Sequence, residues 1–291
     1  LHFNPDVLIL IDFPGFNLRL AEFAHKAGLT VFYFISPKVW AWNQKRVLKI
    51  KRDVDRMFVI FPFEVAFYKQ WGMDVDYIGN PLMDAIDQFL MVKGVTDVVL
   101  TADSPPLIAL LPGSRRQEIL TILPYMLQVI PYYPSYRFVI AQAPDFDERF
   151  YRTITEGHQV KFHKGNPYEL LARATAALVT SGTATLETAL LNVPEVVLYK
   201  TSRISYEIAK RLIKIPFISL VNLIMQEEVV KELIQDTCNR DEIRRQLDKI
   251  LFGSESRTDM LKKYALLHQR VGEAGAAKRA AIKMFAYLKE C

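Results

Sequence analysis

Apolar runs of strand length recur along the chain, separated by stretches whose apolar positions repeat at helical spacing. Residues 7–11, 31–35, 57–61 and 75–78 predict buried strands. Between them, residues 17–27, 39–52 and 63–71 predict helices, the first and third closed by Gly28 and Gly72. Buried strands alternating with helices imply right-handed β-α-β crossovers and a parallel sheet. Residues 88–106 interrupt the pattern with Gly94, Asp103, Ser104, Pro105 and Pro106, and predict a linker. A second series follows, with strands at 107–111, 137–141, 160–162, 176–180 and 196–199. Its helices are expected from about Arg116, then at 145–155, 167–173 and 183–191. Residues 205–291 predict helix throughout. The expected fold is α/β, with two Rossmann-like parallel-sheet domains and a helical C-terminal tail.

Composition narrows the class. A chain of 291 residues suits about two domains. With 51% hydrophobic and 24% charged residues, extensive disorder is excluded. A net charge of +5 fits an anionic partner, whether nucleotide, phospholipid surface or nucleic acid. Two cysteines exclude a disulfide framework and a zinc cluster, and point to a reducing cytoplasm. No apolar run approaches the roughly 18 residues of a membrane span. The chain opens with Leu1 almost directly into a strand, which suggests a missing N-terminal piece. No two of the 12 glycines lie two apart, so the Gly-rich dinucleotide fingerprint is absent, as is the Walker A loop. His158 and His163 are the nearest histidine pair, at a spacing that suits a strand edge better than zinc. No nucleic-acid module signature occurs.

Four segments could carry chemistry. Strand 107–111 runs into Pro112-Gly113-Ser114-Arg115 and then a helix. Glycine permits close backbone approach, helix-start N–H groups attract anions, and Arg115 can fork onto phosphate. The alternative is a helix cap with a solvated arginine. Strand 176–180 likewise ends in Ser181-Gly182-Thr183, with Glu187 one turn further along the helix. That pattern fits a second phosphate cradle with a carboxylate for a ribose diol, or a capping box headed by Thr183. Asp12 ends strand 7–11 ahead of Phe13-Pro14-Gly15-Phe16-Asn17. It suits a general base in a crevice, or the N-cap of the next helix. Finally, Trp40 and Trp42 precede a basic stretch containing Lys45 and Arg46. They suit an anionic membrane surface, or a buried aromatic pair beside a solvated basic face. Asn222 and the Glu228, Glu232 pair could reach a ligand crevice, or form a loop cap and a wet helix face.

Together these segments resemble the lipid-A-disaccharide synthase family of GT-B glycosyltransferases. The resemblance covers essentially the whole chain. It is carried by residues 11–17, 36–46, 61–68, 78–81, 110–115, 181–187 and 219–233. Ser-Pro-x-Val-Trp-Ala-Trp together with Leu-Pro-Gly-Ser-Arg is specific to that family. The resemblance implies two domains facing a cleft, here 1–96 on the acceptor and membrane side and 97–270 on the UDP-sugar side. A C-terminal helix, 271–291, is expected to pack back toward the first. It implies an inverting transfer from UDP-2,3-diacylglucosamine to 2,3-diacylglucosamine 1-phosphate. Asp12 would be the base. Gly113, Ser114, Arg115, Ser181, Gly182, Thr183, Glu187 and Asn222 would bind the donor. Asn17, Trp40, Trp42, Lys45 and Arg46 are expected on the acceptor or membrane side. Val221 stands where the family has proline before the asparagine.

The implied enzyme uses no metal or cofactor and no nucleic acid, acts in the cytoplasm as a peripheral protein of the inner membrane, and has a homodimer as candidate assembly. The family's leading strand and Gly-Glu-x-Ser-Gly-Asp loop do not occur here, so the N-terminal domain is expected to be incomplete. Two other readings compete: another GT-B enzyme, such as a UDP-N-acetylglucosamine epimerase, and a non-catalytic nucleotide- or membrane-binding remnant.

Overall fold

The computed structural model describes residue 3 and residues 5–93, 105–212, 215–251 and 253–290. The chain divides into two compact units. One comprises Leu1–Asp87, Ile208–Ile215 and Arg270–Cys291; the other comprises Gln88–Glu207 and Pro216–Gln269.

The first unit holds four parallel strands in the order β1-β2-β3-β4. They are β1 (Val7–Ile11), β2 (Thr30–Phe34), β3 (Arg56–Val59) and β4 (Asp76–Tyr77). Helices α1 (Pro14–Lys26), α2 (Arg46–Asp53) and α3 (Pro62–Gln70) connect them, and α4 (Pro81–Lys93) follows. Side chains of a strand alternate between faces. Val31 and Tyr33 therefore pack with Leu18, Ala21, Val47, Ile50 and Tyr68. Phe32 points the other way with Phe58 and Ile78, where the C-terminal helix Ala276–Glu290 covers them with Ala276, Ala280 and Met284. Arg279 Nε donates to Ile78 O at 2.8 Å, and Lys283 pairs with Asp76 at 2.6 Å, fixing that helix on the sheet. Burial on both faces explains the apolar runs of β2 and β3, whereas Ile9 and Ile11 of β1 stay exposed.

The second unit holds six parallel strands: β5 (Leu107–Leu111), β6 (Arg137–Ala141), β7 (Lys161–His163), β8 (Ala176–Thr180), β9 (Glu195–Tyr199) and β10 (Lys231–Ile234). Between them lie α5 (Arg116–Leu127), α6 (Glu148–Ile154), α7 (Pro167–Leu171), α8 (Thr183–Leu190), α9 (Arg203–Leu212) and α10 (Leu220–Met225). Helices α11 (Arg240–Ile250), α12 (Glu255–Val271) and α13, the C-terminal helix, complete the order. Ala109, Leu111, Val139, Ala177 and Val179 share one core with Leu170 and Leu171 of α7.

Three sequence expectations are corrected. Residues 88–93 continue α4 instead of opening a linker; residues 94–104 of the expected linker lie outside the described residues. The tail is not wholly helical, because β10 adds a sixth parallel strand beside β9. Its four residues, Lys-Glu-Leu-Ile, run two charged and then two apolar, so they carry no strand alternation to read. The helix expected at 39–52 starts only at Arg46. Before it, Pro37 and Asn43, the latter at φ 50°, keep the chain in turns.

Those turns sort the two tryptophans. Trp40 is 5% exposed, edge-on to Phe63 with ring centres 4.9 Å apart, and donates its indole N–H to Glu64 Oε1 at 3.1 Å. It is core, and so is corrected from the expected membrane side. Trp42 is 46% exposed beneath the Arg46 guanidinium at 4.7 Å. Glu64 Oε2 also accepts the Phe61 and Ile60 N–H groups, at 2.9 and 3.2 Å. Burial outweighs these donors and pushes the Glu64 carboxyl up to about 7. The fold then binds a proton that the unfolded chain has released between pH 4.5 and 7, so stability falls as pH rises through that window. Moving from pH 4.5 to pH 8 is expected to cost up to about 3 kcal/mol at this residue. Glu64→Gln, neutral throughout, is expected to flatten that slope in urea unfolding across the window. An unchanged slope would show that another group sets it.

Candidate functional site

The six-stranded sheet runs β10-β9-β8-β5-β6-β7. From β5 the chain builds outward to β7, then returns to β8 on the other side and builds outward to β10. The reversal falls between β5 and β8, whose Leu111 and Val179 are register partners. Their following loops therefore leave the sheet side by side, about 4.8 Å apart at the strands. At such a reversal in an open parallel sheet, a crevice opens beyond the carboxyl ends of the strands. Gly113, Ser114 and Arg115 lie after β5; Ser181, Gly182 and Thr183 lie after β8.

The first loop is closed on itself. Gly113 has φ +109°, and a Cβ there would stand 2.7 Å from Glu118 Oε2 and 2.9 Å from Glu118 Cβ, so only glycine fits. Glu118 Oε2 accepts the Ser114 and Arg115 N–H groups at 3.2 and 3.3 Å, and Oε1 accepts Arg115 Nη1 at 3.0 Å. The helix-cap alternative therefore operates here, with Glu118 as a built-in anion on the donors. The Arg115 side chain is 83% exposed. Glu118 was not among the expected residues, although its position three beyond the cap is the capping-box spacing.

The second loop is open. Gly182, not Thr183, is the N-cap of α8, and no side chain caps it. Among the described residues, no side chain accepts the first-turn N–H groups, which form an anion-attracting helix start. Ser181 Oγ donates to Ile218 O at 3.1 Å, tying this loop to the segment before α10. Glu187 is half-buried and accepts the Tyr168 hydroxyl at 2.8 Å, so it does not complete a capping box with Thr183. Thr180 Oγ1 at the end of β8 and Gln142 Nε2 just past β6 are buried without a hydrogen-bond partner among the described residues. Orphan polar atoms beside a crevice are what a bound polar ligand would satisfy.

Asn222 is corrected. It is fully buried in the first turn of α10, and its amide is spent inside the protein. Nδ2 donates to Val230 O and Glu232 Oε1, both at 2.9 Å; Oδ1 accepts Val229 and Val230 N–H at 2.8 and 3.0 Å. It cannot hold a donor sugar as well. Glu232 sits on β10 and also accepts the Ile218 and Ser219 N–H groups at 3.0 and 2.9 Å. It is not on a helix with Glu228, which pairs with Lys231 instead. Val221 is the second helical residue after the Ser219 cap, where an N–H has no helical acceptor. Valine therefore serves there as well as proline.

In the other unit, Asp12 follows β1 with φ 46°, and Phe13 follows with φ 42°. Two consecutive left-handed non-glycine residues are strained, at about 1–3 kcal/mol each. Three hydrogen bonds hold the turn. Asn17 Nδ2 donates to Ile11 O at 3.0 Å and Asp12 O at 2.8 Å; the Tyr33 hydroxyl donates to Asp12 O at 2.6 Å. Burial first, and the Asp12 charge second, push the Tyr33 phenol up, keeping it a donor. The N-cap of α1 is Phe13, so Asp12 is not the helix cap and its carboxylate is exposed. Asn17 clasps backbone and is not turned outward. Lys45 and Arg46 open α2 beside exposed Trp42.

Comparison with known proteins gives this geometry a context. A family model described as lipid-A-disaccharide synthetase matches residues 1–284. Lipid-A-disaccharide synthase of Syntrophus aciditrophicus is 40% identical, over 99% of this chain and 77% of that protein. The protein of the same name from Trichlorobacter lovleyi is 38% identical, over 95% of this chain and 74% of its own length. Among solved structures, a UDP-GlcNAc 2-epimerase from Neisseria meningitidis bound to UDP-GlcNAc superposes with a TM-score of 0.65. It is 16% identical, over 98% of this chain and 77% of that one. The glycotransferase of kitacinnamycin gives 0.62 at 13% identity, over 98% and 76%. These structures share the fold alone, two parallel-sheet α/β domains of GT-B type. The sequence relatives go further: the chain belongs to the lipid-A-disaccharide synthetase family and is a glycosyltransferase of lipid A synthesis.

Proposed function

We propose that the protein joins UDP-2,3-diacylglucosamine to 2,3-diacylglucosamine 1-phosphate, giving a β-1,6-linked disaccharide 1-phosphate and UDP. The observation that carries this reading is the pair of strand–glycine–helix loops at the reversal between β5 and β8. One helix start there is open, beside the orphan Thr180 hydroxyl, which suits a diphosphate. Arg115 supplies charge for the leaving UDP once phosphate displaces Glu118 from the first loop. Glu187 holds the ribose. Asp12 takes the proton of the acceptor 6-hydroxyl as its oxygen bonds to the donor anomeric carbon and the bond to the β-phosphate breaks, inverting that centre. A base held in a strained turn is consistent with a site maintained for function.

Ile11, Phe13 and Phe16, all exposed around Asp12, offer apolar surface for acyl chains. Trp42, Lys45 and Arg46 suit an anionic bilayer surface, which supports a peripheral location on the cytoplasmic side of the inner membrane. Among the described residues, no helix is long and apolar enough to cross a membrane.

UDP release assayed with the diacylated acceptor phosphate is expected, and none with glucosamine 1-phosphate. Equal release with both acceptors, or epimerised UDP-N-acetylglucosamine, would assign another reaction. The exposed apolar residues of the outer strand β1 favour the second reading, membrane binding without transfer. Flotation with anionic vesicles and no UDP release under any acceptor would select it.

A further inference from the structure

We propose that Tyr168 is a positioning residue that sets the nucleotide specificity of this site by aiming Glu187 at the ribose. This rests on the nucleotide reading above and adds to it a residue that neither sequence pattern nor helix capping singles out.

Tyr168 begins the short helix α7, where Asn166 Oδ1 accepts its N–H at 2.9 Å and fixes the helix start. Its ring is buried and stands edge-on to Phe89, with centres 5.7 Å apart. Backbone and ring are thus both held before the hydroxyl reaches anything. The hydroxyl then donates to Glu187 Oε1 at 2.8 Å. Burial, with the hydrogen bond and charge of Glu187, pushes the Tyr168 phenol up, so it stays protonated and remains a donor.

A half-buried glutamate in the second turn of a helix still has more than one rotamer open to it, and a ribose diol needs one of them. The Tyr168 hydrogen bond selects one and occupies Oε1. That leaves Oε2 and the outer lone pair of Oε1 for neighbouring hydroxyls, since a carboxylate offers about four acceptor positions. A rigid ring bearing a single donor suits this task, because it adds orientation without a competing charge. Lysine or arginine would neutralise Glu187 and bring its own attraction for phosphate. Glu187 stands one turn beyond the open start of α8, so the carboxylate and the anion-attracting N–H groups are rigidly spaced. That spacing matches a ligand with an anion at one end and a diol near it, a nucleoside diphosphate with an intact ribose.

The test is calorimetric binding of UDP and 2′-deoxy-UDP to the wild type, Tyr168→Phe and Glu187→Gln. Phenylalanine keeps the ring contact with Phe89 and removes only the hydroxyl. Wild type is expected to prefer UDP by about tenfold or more. Tyr168→Phe is expected to lose most of that preference, weakening UDP about fivefold while leaving 2′-deoxy-UDP unchanged. The unchanged deoxynucleotide affinity serves as the control for folding. Glu187→Gln is expected to lose the preference too. Equal weakening of both nucleotides in Tyr168→Phe, or an undiminished preference, overturns the Tyr168 assignment and leaves Glu187 standing. A wild type without preference for UDP, or Glu187→Gln that retains it, overturns the ribose role of Glu187 and the proposal with it.

Discussion

Asp12→Asn is expected to lower glycosyl transfer by about 10²–10⁴-fold while UDP binds as before. The substitution is chosen from the backbone. Asp12 has φ 46°, a left-handed conformation that asparagine tolerates nearly as well as aspartate and alanine does not. The carbonyl of residue 12 keeps its bonds from Asn17 and Tyr33, so the turn is retained. What is lost is the capacity to accept a proton. An acceptor hydroxyl is a poor nucleophile at neutral pH unless its proton leaves as the new bond forms, and an amide cannot take it. The nucleotide loops lie in the other unit, on a different sheet, so their affinity for UDP has no reason to change. Turnover measured as radiolabelled disaccharide, beside UDP affinity, separates the two effects. Turnover close to wild type with Asn at position 12 would remove Asp12 as base. Joint loss of turnover and UDP binding would mean that the substitution acts on the fold.

Much of this site was legible in sequence because it depends on local punctuation. A buried strand ending in glycine and small hydroxyl residues before a helix is written in consecutive residues, and both loops after β5 and β8 stand where that punctuation put them. The strand after β9 was missed because Lys231-Glu232-Leu233-Ile234 carries too short a pattern. Strand order, which brings the two loops together, depends on pairing between residues nearly 70 apart and leaves no trace in local spacing. Side-chain direction was the other gap. Trp40 and Trp42 are two residues apart in a turn, where neither helical nor strand periodicity says which one goes inside. Tyr168 meets Glu187 across 19 residues and two elements, with nothing in either segment to announce it. Glu118 was visible by spacing, but the same three-residue interval occurs by chance in many helices.

Asn222→Leu is expected to destabilise the protein by about 3–5 kcal/mol while UDP affinity of the folded protein stays within about threefold. Leucine matches the volume but removes every hydrogen bond the amide makes. The Val229 and Val230 N–H groups and the Val230 carbonyl then lose partners inside the protein, and Glu232 keeps only its two backbone donors. Each buried group left unpaired costs about 1–3 kcal/mol, and partial relaxation toward water reduces the sum. The small allowance for affinity has a route: Glu232 holds residues 218 and 219, and Ser181 Oγ reaches Ile218 O from the open loop. A loosened α10 therefore reaches the nucleotide loop through that hydroxyl and through its packing against α8. Urea unfolding beside UDP calorimetry at low temperature reads both quantities. The opposite pattern, full stability with UDP binding lost by tenfold or more, would mean that the amide turns outward to the nucleotide, and would restore Asn222 to the donor site.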